Sequence, residues 1–190
     1  MSSLINHFDI TTDVNTTSNA TSRNPSTTVT LGTGYFNLTP AYANALLSSK
    51  ARFNILTASP KANGFLGAKG IMGHIPACYT YLEHQFFNKV TQANQSFRIR
   101  IQEYTRVGWT FHAKGVWVYP SGSSTPTLTL IGSPNFGHRS ASRDLETQLA
   151  IVTADPDLQR RLHQEKENLY TGGEEVTAAM FSRPDRAVKV

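Results

Sequence analysis

Cysteine is nearly missing from this chain. Cys78 stands alone among 190 residues, so no internal disulfide can form and nothing points to secretion. It lies among Ile75, Ala77 and Tyr79 and reads as a small buried apolar residue rather than a nucleophile. Long hydrophobic runs are missing too: no stretch approaches the roughly 20 apolar residues that a membrane span needs. Acids are in short supply, with 13 Asp+Glu against 18 Lys+Arg, a net charge of +5 and a pI near 9.5. That balance suits a phosphate-bearing partner such as nucleic acid, nucleotide or anionic lipid. Residues 1–28 hold Arg23 as their one basic residue beside Asp9 and Asp13, which does not fit an Arg-rich, acid-poor presequence. Their Ser, Thr and Asn content reads as a disordered tail or linker.

What is present suffices for one domain. Hydrophobic residues make up 39% and charged residues 16%, the composition of a globular chain. Thr39 and Pro40 cap a short helix over 41–49. Residues 52–58 read as a strand stopped by Ser59-Pro60, and a Gly-rich loop covers 63–73. Tyr79, Leu82, Phe86 and Val90 recur at helical spacing within a helix over 76–91. Strands follow at 97–104, 111–119, 126–132 and 145–153, with a helical turn near 138–143. Asp155 caps a helix ending about Tyr170. The sum is an α/β domain over 29–170, a mixed β-sheet of about five strands flanked by helices. Residues 171–190 are expected to be a loose C-terminal segment.

The chemistry concentrates in two places. In Phe111-His112-Ala113-Lys114-Gly115, a strand would aim His112 and Lys114 to the same face, because side chains alternate. Imidazole serves as nucleophile or as general acid/base near neutral pH. The ammonium can balance charge on non-bridging phosphate oxygens. Alone, H-x-K reads equally as the polar edge of an amphipathic strand. One hairpin later comes Gly132-Ser133-Pro134-Asn135, with Ser140 and Glu146 beyond it. Gly132-Ser133 allows a tight strand exit, Asn135 offers an amide donor to phosphate, and Glu146 is placed to orient His112 through a ring nitrogen. The bland readings are a turn former for Asn135 and a surface charge for Glu146. The ordered set is far rarer than its parts.

H-x-K, then G-S-x-N, then Glu resembles the half-motif of the phospholipase D superfamily. Longer strings, GYFNLT (34–39), NGFxGAKG (63–70), GWTFHAKG (108–115) and LTLIGSPNFGxRSxxRDLExQxAIVT (128–153), resemble eukaryotic mitochondrial phosphatidylglycerophosphate synthases, in their C-terminal half only. The resemblance implies a phospholipase-D-like fold and transfer of a phosphatidyl group from CDP-diacylglycerol to glycerol 3-phosphate. CMP leaves, and no cofactor or metal takes part. It implies His112 as general acid/base, Lys114 and Asn135 on phosphate oxygens, Glu146 positioning His112, and Ser133 beside the substrate. It also implies mitochondrial, inner-membrane association and no nucleic-acid partner. Such enzymes use two H-x-K motifs. Here the residues two places after His7, His74, His84, His138 and His163 are Asp9, Pro76, Phe86, Ser140 and Glu165, so the chain carries one motif. A partner is implied: the N-terminal half of the enzyme or a second copy of the chain. The superfamily's aspartate five residues after the lysine is here Tyr119.

Two other readings stay open. One is a non-catalytic module binding lipid or a partner chain; the other is a homodimeric phosphodiesterase or nuclease. In the Gly-rich loop, Lys69 between Gly67 and Gly70 is a candidate for substrate phosphate; the bland reading is an ordinary flexible loop. Phe65, Leu66, Ile71 and Met72 either pack beneath the loop or dip into a membrane surface as a peripheral contact. Trp109 and Trp117 are expected in core or rim.

Overall fold

The computed structural model describes residues 26–186, so most of the expected tail at 1–28 lies outside the described residues. Seven strands form one sheet: β1 Thr28–Thr33, β2 Arg52–Ala58, β3 Ile99–Tyr104, β4 Gly115–Tyr119, β5 Leu128–Gly132, β6 Gln148–Val152 and β7 Gly173–Glu175. Their spatial order is β6-β5-β4-β1-β2-β3-β7. β1, β2 and β3 run parallel, and the remaining neighbours pair antiparallel. The mixed sheet expected from sequence is therefore present, with two strands more than the five anticipated.

Alternation along the strands sorts side chains into two layers. Leu31, Phe53, Ile55, Ile99, Ile101, Val116 and Val118 face a core closed by two helices, α1 Pro40–Ser48 and α2 Ile75–Gln92. Trp117, Tyr119, Ile131 and Ile151 face the opposite way, onto Leu158, Leu162 and Leu169 of a long helix at Pro156–Tyr170. That helix is capped by Asp155, whose carboxylate accepts from the Leu158 amide at 2.7 Å. The Tyr170 hydroxyl pins its far end by donating to the carbonyls of Asn54 (2.9 Å) and Leu31 (3.2 Å). Tyr119, in the place of the superfamily aspartate, is likewise a core residue, buried against this helix with its hydroxyl 3.2 Å from His163 Nδ1.

Three expectations are corrected. Cys78 is exposed, because the buried line of α2 runs through Pro76, Thr80, Glu83, Phe86 and Val90. Two residues past Pro76 and two before Thr80, Cys78 falls on the outer face of a 3.6-residue helix. Residues 171–186, the described part of the expected loose segment, are not loose. β7 pairs with β3, Met180 is buried in the main core, and Arg186 forms a buried ion pair with Glu103. Finally, the strand expected at 111–119 begins only at Gly115, so His112 and Lys114 precede β4. The Phe111 amide donates to the Ala62 carbonyl at 2.9 Å, and its ring stacks on Tyr104 at 5.0 Å. Those contacts draw residues 111–114 away from the sheet ladder.

Candidate active site

The topology gathers the chemistry at one end of the sheet. β1, β2, β3 and β5 all finish there, and β4 and β6 start there. His112 and Lys114 lie in the approach to β4; Ser133 and Asn135 lie just after β5. Between them runs the segment that leaves β1, and it touches both. A Cβ built on Gly34 would lie 3.1 Å from His112 Cα and Cδ2, so glycine lets the histidine backbone sit against β1's exit. The Tyr35 ring meets the His112 ring edge-on at 5.3 Å, lies 5.8 Å from Lys114 Nζ, and stacks on Tyr79 at 5.0 Å. The hydroxyl of Thr33, fully buried, lies between two acceptors, the Tyr35 carbonyl at 3.0 Å and Asn135 Oδ1 at 3.4 Å. That contact engages the Asn135 amide oxygen and leaves its NH2 as the donor half of the side chain. The Thr39 amide donates to the Phe136 carbonyl at 3.1 Å, closing the wedge at its far end.

Sequence reasoning missed Thr33, Gly34 and Tyr35 as site residues. For Gly34 and Tyr35 the available signal was the GYFNLT string (34–39), which carried the resemblance but no assigned role; Thr33 lies just before it.

Lys114 Nζ donates to the His112 carbonyl at 2.9 Å, which folds the lysine back over its own turn. Partial burial, then the Lys114 charge, hold the His112 pKa below the ordinary imidazole value, so His112 is neutral at neutral pH. Burial also lowers the Lys114 pKa, and the Glu146 carboxylate opposes that shift.

Glu146 does not bond His112. Its carboxylate accepts from the Ser133 hydroxyl and the Ser140 hydroxyl, which hold its pKa below the usual range. Ser133 Oγ also accepts from the Thr147 amide at 3.1 Å, and Ser140 Oγ from the Asn135 amide at 3.1 Å. Glu146 therefore staples the Asn135 turn to the start of β6 and balances Lys114 from a distance. Gly132 permits this closure, because a Cβ there would lie 2.3 Å from the Thr147 carbonyl oxygen.

Of the other sequence candidates, Ser133 joins the site through Glu146. Lys69 is exposed, between Gly67 at φ 77° and Gly70 at φ 63°, where only the start of the loop reaches the cluster, through a Phe65–Tyr35 ring contact at 5.7 Å. Among the described residues no three of His, Cys, Asp and Glu gather as a metal site would require. His112 itself is exposed, and an open concavity lined by Tyr104, Arg106, Asn168 and Gly172 does not include it. The reactive face is open.

No family model matches the chain. Among curated proteins it is 57% identical over 160 residues to the mitochondrial CDP-diacylglycerol–glycerol-3-phosphate 3-phosphatidyltransferase of Gallus gallus, covering 84% of this chain. The Homo sapiens protein of the same name is 57% identical over 162 residues, 85% of this chain. A Dictyostelium discoideum protein, named "Probable CDP-diacylglycerol–glycerol-3-phosphate 3-phosphatidyltransferase", is 42% identical over 149 residues, 78% of this chain and 26% of its own length. The chain is homologous to part of these proteins. It spans about 29% of the length of the chicken and human proteins. Two solved structures share the fold. Phosphatidylserine synthase from Haemophilus influenzae superposes with a TM-score of 0.68 at 21% identity, covering 80% of this chain and 34% of that one. Nuc, a phospholipase D family member from Salmonella typhimurium, gives 0.53 at 14% identity, covering 81% of this chain and 84% of that one.

Proposed function

We propose that this chain supplies one half of a phosphatidyltransferase active site. The full site moves a phosphatidyl group from CDP-diacylglycerol to glycerol 3-phosphate. The observation that carries this is the wedge 33–35, which brings His112, Lys114 and Asn135 together in a chain 57% identical to enzymes of that name.

In this reading Lys114 and the Asn135 NH2 face the non-bridging oxygens of the reacting phosphate, where positive charge and aimed donors matter most as negative charge builds. A histidine from the other half attacks phosphorus. The bond to the CMP oxygen breaks, and His112 gives that oxygen a proton. His112 then takes the proton of the glycerol 3-phosphate hydroxyl as that oxygen attacks phosphorus and the histidine leaves. Glu146, with Ser133 and Ser140, sets the Asn135 turn rather than the imidazole. Lys69, Gly67 and Gly70 border the substrate from the Gly-rich loop. The complementary wall comes from the N-terminal half of the enzyme, on the mitochondrial inner-membrane surface, and nucleic acid is not the substrate.

The deciding assay is CMP release from CDP-diacylglycerol plus glycerol 3-phosphate, with this chain alone and with the N-terminal half added. Turnover only in the mixture, abolished by His112→Ala, is the expected result. A mixture that turns over equally well with His112→Ala would remove His112 from the mechanism.

A further inference from the structure

Ten large hydrophobic side chains stand exposed among the described residues, and five of them lie on two short loops. Leu66 (60% exposed), Ile71 (83%) and Met72 (44%) are in the loop after β2; Val107 (98%) and Trp109 (55%) are in the loop after β3. Packing beneath the loop, the bland expectation for the first three, is not what they do. The loops leave adjacent parallel strands at the end that carries His112. Their bases are joined: the Ser59 amide donates to the Tyr104 carbonyl at 3.2 Å and the Phe111 amide to the Ala62 carbonyl at 2.9 Å.

Charge on this surface has one sign. Lys61, Lys69 and Arg106 lie on the loops, and no Asp or Glu occurs in residues 59–82 or 104–143. The Arg106 guanidinium sits 4.2 Å from the Trp109 ring, pairing a cation with an indole as residues at a headgroup boundary do. We infer that these two loops form a docking surface for an anionic lipid bilayer: the aliphatic tips and Trp109 enter the acyl boundary, and the basic side chains meet lipid phosphates. The choice of a bilayer over a protein partner rests on this one-sided charge. It also rests on the proposed lipid substrate, because the surface presents the membrane at the sheet end where His112 waits.

The test uses the intrinsic fluorescence of the full chain, whose two tryptophans are the exposed Trp109 and the buried Trp117. Phosphatidylcholine–phosphatidylglycerol vesicles with brominated acyl chains should quench and blue-shift the emission. Trp109→Phe should remove that response and keep the Trp117 background. Leu66→Ser with Ile71→Ser should weaken vesicle binding by about tenfold or more, and added salt should weaken it further. No quenching of the wild-type chain by these vesicles, or quenching that survives Trp109→Phe, overturns the inference. So does loss of quenching when the N-terminal half is added, since a protein would then cover the loops. Turnover of detergent-dispersed substrate, measured separately, tells failure of the docking surface from failure of the phosphatidyltransferase reading.

Discussion

Removing the Tyr35 ring should raise the pKa of a histidine it does not hydrogen-bond. Tyr35 touches His112, Tyr79, Phe65 and Lys114 through its ring face and edge. Burial is the largest cause of the depressed His112 pKa, ahead of the Lys114 charge, and the Tyr35 ring is part of what keeps water from the imidazole. In Tyr35→Ala the side of the imidazole that the ring covers gains water, and the midpoint moves up toward the ordinary value of about 6.5. It does not arrive there, because Lys114 still opposes protonation. Tyr35→Phe keeps every ring contact and leaves the midpoint unchanged.

Stability should respond on a different scale. Three ring–ring contacts at roughly 0.5–1.5 kcal/mol each, counted at the low end for a half-buried side chain, put the cost of Tyr35→Ala at about 1.5 kcal/mol. Turnover in the reconstituted enzyme should fall by about 10²-fold, the usual result when a reacting group is misplaced by an ångström. The assay is an NMR titration of the histidine ring protons, with His112 assigned by its disappearance in His112→Gln. A wild-type midpoint at or above the ordinary value refutes the reasoning. An unmoved midpoint in Tyr35→Ala refutes it too, whatever happens to stability, because a purely structural role does not predict the titration.

Two further predictions are independent of the tyrosine. Lys114→Met removes the cation that opposes protonation of His112, so the His112 midpoint should rise while CMP release is lost; the same titration and assay read both. Glu83 is almost fully buried, and burial, then the Glu103 charge, push its pKa well above the carboxylate range, so the folded chain holds a proton that the unfolded chain releases. That stability is fully present below the unfolded pKa and is lost as pH rises through the folded one. Glu83→Gln should therefore match the wild type in acid and exceed it increasingly toward alkaline pH in urea unfolding. Parallel profiles would show that Glu83 is ionised in the fold.

The sequence was most legible where structure is decided locally. The Arg52–Ala58 strand, the Thr39 and Asp155 caps and the Pro156–Tyr170 helix all follow from neighbours in the chain, and each lies where the pattern puts it. β1 escaped notice because its six residues TVTLGT follow a Ser/Thr-rich stretch and take all their pairing from β2 and β4, far away in sequence. β7 escaped for the same reason: polar GEE becomes a strand only against β3. The site divides along the same line. His112, Lys114 and Asn135 are visible as motifs, but which groups hold them depends on the exit of the unrecognised β1. Without that strand Glu146 looked like the partner of His112. With it, Tyr35 and Gly34 flank the imidazole, and Glu146 is occupied by two serines.

The protonation state of His112 then constrains the half that this chain does not contain. A neutral imidazole is ready to take the proton of glycerol 3-phosphate, the second step of the proposed reaction, but it cannot release CMP in the first step as an acid. The imidazole must take that proton from solvent as the substrate binds. In the proposed reaction CDP-diacylglycerol would bring phosphate anions against a surface whose nearby charges are Lys114 and, farther off, Glu146. Once Lys114 is paired with phosphate, its opposition to imidazolium is cancelled and the anion itself favours the charged ring. Binding thus converts His112 from base to acid, and departure of CMP with the proton returns it to base. The attacking histidine of the other half must stay unprotonated through that same binding event. The two imidazoles therefore need unequal surroundings, and a second identical copy of this open, lysine-backed site would not by itself provide them. That asymmetry favours a distinct N-terminal half over self-pairing as the partner of this chain.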